Sequence, residues 1–204
     1  GKYYLVTTDN HGKNTGIRGG GILWESTDGI HWVKRLIGGG TPRALASNSH
    51  QTIMVGDSGF LKIKDATHDW SLVSTPTSAD LGSIIWGGDR FVAAGRNGVV
   101  IYSTDGINWS ESNLGFDVND ITWTGSEFLA AGDGGKIASS TDGVNWIEVI
   151  NPGVENYRVI LAKGNEVYAF AGLDSWRRNS DNSWSNLPQA ASAGAVFKGF
   201  MVTT

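Results

Sequence analysis

The phrase Ser-Thr-Asp-Gly-x-x-Trp occurs three times in this chain, from Ser26 to Trp32, from Ser103 to Trp109 and from Ser140 to Trp146. Two degenerate copies keep the register and end at Trp70 and Trp184, so the five tryptophans stand 38, 39, 37 and 38 residues apart. A fixed period of this length marks a repeat architecture, in which each unit buries its apolar surface against its neighbours. The spacing therefore constrains the fold more than any single residue does.

Aligned on the tryptophans, each unit holds four short runs of β-branched and aromatic residues separated by Gly, Asn or Asp. That pattern predicts a four-stranded antiparallel meander, with strands named A to D in order. In the unit ending at Trp109, strand A (Ile84, Ile85, Trp86) and strand B (Phe91, Val92, Ala93, Ala94) are apolar on both sides. A strand of that kind must be covered on both faces, which sheets stacked as blades around an axis achieve. The expectation is an all-β chain, a single β-propeller domain over residues 1–204, with five blades of four strands.

The ends leave two possibilities. Tyr4 to Thr8 fits a strand B slot with no strand A before it. Residues 195–197 read as a strand A and 200–204 as a second strand B, so residues 193–204 are expected to supply the closing strand or strands. Closure of five blades avoids exposed strand edges. The surplus strand B instead fits a piece of a ring of six or more blades.

The repeated phrase resembles the Asp-box, or BNR, repeat of sialidases and other bacterial propellers, with one residue fewer between Asp and Gly and with Asn or His in place of Thr. The resemblance spans nearly the whole chain. It implies that Ser26, Asp28, Gly29 and Trp32, with Ser103, Asp105, Gly106 and Trp109 and with Ser140, Asp142, Gly143 and Trp146, form structural turns between strands C and D. It also implies that ligands meet the opposite face, where the D-A and B-C loops lie. Propellers similar in these turns include photosystem assembly factors.

Composition narrows the function. The formal net charge is −4 and no basic run exceeds Arg177-Arg178, which argues against a nucleic-acid partner. The chain has no cysteine, its four histidines lack ligand spacing, and no cofactor motif is present. No apolar stretch is long enough to span a membrane as a helix. A start at Gly1 without a signal-like segment reads as a processed chain or excised domain, expected on a secreted or cell-surface protein.

Departures from the repeat locate candidate binding residues. The B-C loop of the first unit is enlarged to residues 9–21 and carries His11, Lys13, Asn14 and Arg18, a set suited to an anionic or sugar-like ligand, although its five glycines equally suit a tolerated mobile insertion. Asp57, Arg96, Asn97, Asp133 and Asp174 fall in the other B-C turns, and Arg43, Asp120, Tyr157 and Arg158 at the starts of strand A. Together these would surround one end of the axis, or each serve ordinary turn chemistry. Trp176 breaks the repeat and could stack on a sugar or hold a partner. A sialidase would need an arginine triad and a Tyr–Glu pair, and only Arg43, Arg96, Arg158 and Tyr157 approach that set. The expectation is a non-catalytic recognition domain for a glycan or protein ligand, with an assembly scaffold and a sialidase-type glycosidase as alternatives.

Overall fold

A computed structural model describes residues 2–8, 21–149, 153–172, 174–187 and 201–203. Among these the chain forms five antiparallel sheets of four strands each. Blade I contains β1 (Lys2–Thr8), β2 (Gly21–Ser26) and β3 (Val33–Leu36). Blade II is β4 (Pro42–Ser47), β5 (Gln51–Gly56), β6 (Leu61–Asp65) and β7 (Ser71–Leu72). Blade III is β8 (Leu81–Gly87), β9 (Arg90–Gly95), β10 (Val99–Ser103) and β11 (Ser110–Asn113). Blade IV is β12 (Val118–Trp123), β13 (Phe128–Gly132), β14 (Ile137–Ser140) and β15 (Ile147–Glu148). Blade V is β16 (Val159–Lys163), β17 (Glu166–Ala171), β18 (Asp174–Arg178) and β19 (Trp184–Leu187). Blades II to V are meanders, and the architecture is a five-bladed propeller.

The twentieth strand completes blade I. β20 (Met201–Thr203) lies antiparallel to β1, with Lys2 opposite Thr203 and Tyr4 opposite Met201. The segment at 200–204 had the pattern of a redundant strand B, yet its strand takes the slot of strand A. A strand's slot is set by which edge is free, and β1 offers its outer backbone groups to whatever strand arrives. The strand A expected at 195–197 lies outside the described residues.

The core lies in the slots between blades. On β9, Phe91 and Ala93 face blade II and pack with Ile53, Val55 and Leu61, while Val92 and Ala94 face blade IV and pack with Val118, Ile121 and Phe128. The two-residue period of a strand sends alternate side chains to opposite slots, so a sheet covered on both faces needs an unbroken apolar run. Leu129 and Ala131 repeat the arrangement toward Ile160 and Val167 of blade V, and Tyr4 and Leu23 pack with Met54 and Phe60 between blades I and II. Small residues permit the close approach: a Cβ on Gly87 would come 2.4 Å from Trp123 of the next blade.

The repeated phrase builds one turn three times. In blade III, Asp105 Oδ1 accepts the backbone N–H groups of Ile107 and Asn108 at 2.9 and 2.8 Å, and Asp105 Oδ2 accepts the Asn108 amide at 2.8 Å. Ser103 Oγ accepts the Gly106 N–H at 2.8 Å, and Trp109 donates its indole N–H to the Gly106 carbonyl at 3.0 Å. Asp142 makes the same bonds in blade IV, and Asp28 in blade I with His31 in place of Asn. These donors hold the Asp105 and Asp142 carboxyls well below the usual carboxylate range, the backbone N–H groups of Asn108 and Asn145 being the largest cause. In the degenerate copy of blade II, Asp65 accepts from the Thr67 and His68 backbones at 2.7 Å without any glycine in the turn.

Candidate functional site

A strand A that begins at one end of the axis puts the D-A and B-C loops on that face and the A-B and C-D turns on the other. The inner part of all five blades encloses a cavity of about 450 Å³ along the axis. Val6, Leu45, Ile85, Ile121 and Val159 give it apolar walls, and Arg43, Asn119 and Arg158 stand at the strand A starts. A polar recess of about 330 Å³ adjoins it, sharing Arg43 and Asn119 and adding Asp80 and Arg96. The loop face thus presents one continuous mouth with an apolar interior and a polar rim.

Beneath the rim, Asp120 joins three blades. This buried carboxylate accepts the Ser83 hydroxyl of blade III at 2.9 Å, the Ile121 N–H of its own blade at 2.9 Å and the Ile160 N–H of blade V at 2.9 Å. A buried charge is tolerated when its acceptor positions are filled this way.

The rim is built by a second recurring lock. The B-C connections of blades II, III and IV are tight turns over Asp57–Gly59, Arg96–Gly98 and Asp133–Gly135. Their first residues donate backbone N–H groups to carbonyls at the start of their own blade: Asp57 to Thr41, Arg96 to Asp80 and Asp133 to Asp117. Their second residues donate to a side chain at the start of the following blade: Ser58 to Asp80 at 2.9 Å, Asn97 to Asp117 at 2.7 Å and Gly134 to Asn156 at 2.8 Å. Asp80 and Asp117 therefore hold two blades at once, one with the backbone and one with the carboxylate. Arg96 adds an ion pair to Asp117 at 2.8 Å, which lowers the Asp117 carboxyl and raises the Arg96 guanidinium.

The expected residues divide accordingly. Arg43 and Arg158 line the axial cavity and Arg96 the adjoining recess. Arg43 pairs with Asp57 and Arg96 with Asp117, while the Arg158 side chain makes no hydrogen bond or ion pair among the described residues. Asn97 serves the blade lock, and Asp133 accepts the Asn119 amide at 2.8 Å. Asp174 is exposed at the start of β18. Tyr157 is fully buried in the slot between blades IV and V, where burial pushes its phenol up to about 12. Trp176 is half-buried against the same slot. His11, Lys13, Asn14 and Arg18 lie outside the described residues.

Asp80, Asp117, Asn119 and Asn156 were missed by the sequence reading. Asp80, Asp117 and Asn156 stand 37 and 39 residues apart, so the period that spaces the tryptophans also spaces them.

Comparison with known proteins places the chain among propellers. No family model and no curated protein matches it. Among solved structures, "YCF48 bound to D1 peptide" superimposes with a TM-score of 0.59 at 18% identity, covering 72% of this chain and 54% of that one. "YCF48 from Cyanidioschyzon merolae" gives 0.61 at 15%, covering 82% of this chain and 64% of the other. A propeller in a nidogen/laminin complex gives 0.63 at 10%, covering 84% and 73%. The fold is shared. The chain spans between about half and two thirds of the YCF48 chains it resembles.

Proposed function

We propose that this propeller is a non-catalytic recognition module that holds a segment of another protein on its loop face. One observation carries the reading: an apolar cavity on the axis opens through a rim bearing Arg158 and Arg43. Such a mouth suits an extended peptide that inserts an apolar side chain and sets a carboxylate on the rim. A saccharide suits this face less, because the walls offer few hydrogen-bonding groups below the rim. The similar YCF48 structure, which is bound to a D1 peptide, supports a peptide ligand for this architecture. The turns made by Asp28, Asp105 and Asp142 support placing the chain with the Asp-box propellers.

A scaffold in a larger assembly is the nearest variant of this reading and uses the same face. The glycosidase alternative loses support from the same residues. Tyr157 is buried and protonated rather than poised as a nucleophile, and two of the three arginines are committed to carboxylates.

Selection of random peptides on the immobilised protein, followed by calorimetry, tests the reading. Enriched peptides should contain an acidic group beside an apolar side chain. Arg158→Ala should weaken them about tenfold or more, as expected for one charge-assisted hydrogen bond. Failure to enrich any peptide, or affinity unchanged in both Arg158→Ala and Leu45→Arg, would overturn it.

A further inference from the structure

The repeated phrase is lost at the C-D turn of blade V as it is in blade II, and in blade V a groove opens there. Counted back from the tryptophan, the positions of Ser140, Asp142 and Gly143 in blade IV are held in blade V by Arg178, Ser180 and Asp181. In blades III and IV the turn glycine lies directly on the preceding blade. A Cβ on Gly106 would stand 2.8 Å from Ile53, and one on Gly143 would stand 2.8 Å from Val92. Strand register makes Leu129 the matching residue of blade IV, since Thr52, Phe91 and Phe128 face Ser47, Trp86 and Trp123 on the adjoining strands. Asp181 has a side chain where that contact allows none. Between blades IV and V the result is a cavity of about 640 Å³ with Leu129 among its lining residues and Trp184 beside it.

We propose that this groove binds a neutral saccharide. Arg178, in the place of the turn serine, reaches across the blades to Glu127 at 2.8 Å, and both side chains are largely buried. That pair neutralises itself. The remaining polar lining is Ser139, Glu148, Asp181, Asn182 and Ser183. Hydroxyl, amide and carboxylate groups together offer the mixed donors and acceptors that neighbouring sugar hydroxyls require. Trp184 supplies an apolar aromatic wall for the C–H face of a pyranose ring, and the volume is that of an ordinary ligand site. The Ser183 hydroxyl and backbone N–H hold the Asp181 carboxyl below its usual range, so it remains an acceptor at neutral pH. Glu148 pairs with Lys136 at 3.2 Å, so Asp181 is the charge that leaves the groove acidic, which disfavours sialic and uronic acids. Hydroxyl and amide groups outnumber free charges, which favours a sugar over a lysine-rich peptide. The site is separate from the peptide mouth on the loop face and does not depend on it.

The test is an amide-correlation NMR titration of the intact protein with cellotriose, maltotriose and tri-N-acetylchitotriose. At least one sugar should saturate, shifting the amides of Ser139, Glu148 and Asp181 to Ser183 and the Trp184 indole. Glu148→Ala, on an exposed edge strand, should weaken binding about tenfold or more for a lost hydrogen bond to a charged group. The double variant Arg178→Ser with Asp181→Gly puts the turn serine and glycine back and should abolish binding while keeping a dispersed spectrum. No saturable shift with any of the three sugars overturns the proposal. So do a response only to a lysine-rich peptide, and sugar binding that persists in the folded double variant or in Glu148→Ala at full strength.

Discussion

At the scale of single residues, the turn glycines separate two costs that usually come together. Gly29 and Gly106 both have positive φ, +75° and +74°, so any side chain at either meets the left-handed penalty of about 1–2 kcal/mol. Their surroundings differ. A Cβ on Gly29 would rest 3.8 Å from Tyr3, an ordinary contact, whereas one on Gly106 would collide with Gln51 and Ile53 of the preceding blade. Gly29→Ala should therefore cost about 1–2 kcal/mol, and Gly106→Ala clearly more, through the added overpacking of about 1–3 kcal/mol. Parallel denaturant titrations read the difference. Acid provides a second check. The Asp105 and Asp142 carboxyls are held below the unfolded-state value near 3.9, so what they contribute is present above about pH 4 and lost as pH falls further. Thermal stability should be level from pH 8 to 5 and drop below 4. Asp105→Asn with Asp142→Asn should flatten part of that drop, because an amide does not titrate. The apolar faces, the turn phrase and the rim arginines were legible at this scale because each follows from local chemistry. Tyr157 was not. Its neighbour Arg158 is exposed and it lies beside a strand end, and only the packing of blade V on blade IV reveals that its ring is core.

At the scale of elements, the informative unit is the junction between blades. Aligning the sequence on tryptophan exposed each blade's own hairpins but hid the residues that tie one blade to the next, since Asp80, Asp117 and Asn156 read as ordinary loop polars. Their bonds rank them. Asp117 holds the Asn97 backbone and the Arg96 side chain, whereas Asp80 accepts only the Ser58 backbone through its carboxylate. Asp117→Ala should cost about 1–3 kcal/mol and Asp80→Ala about 1 kcal/mol. Native-state hydrogen exchange should place the loss from Asp117→Ala at the B-C turns of blades III and IV before it appears elsewhere. If amides across all five blades accelerate equally, the lock is not a local joint.

For the whole molecule, the Trp spacing was enough to count blades because stacking is a nearest-neighbour property. Which C-terminal strand closes the ring was not legible, since that depends on which two distant edges meet. The pairing of β20 with β1 supplies the inner strand of blade I from the far end of the chain. A chain shortened to end at Leu187 should leave β1 as an open edge and self-associate. Light scattering that reports a monomer with an unchanged melting temperature would count against closure by this strand.

That same ladder has a mechanical meaning. Because β20 runs antiparallel to β1, Lys2 and Thr203 sit at the same end of it. Tension applied to the two ends of the chain pulls on one bond at a time, as in opening a zip, rather than shearing all of them together. The four blades between resist as packed bodies. Under load the first blade should open at low force and release its neighbour's face, so the ring behaves as a latch whose weakest point is its own seam.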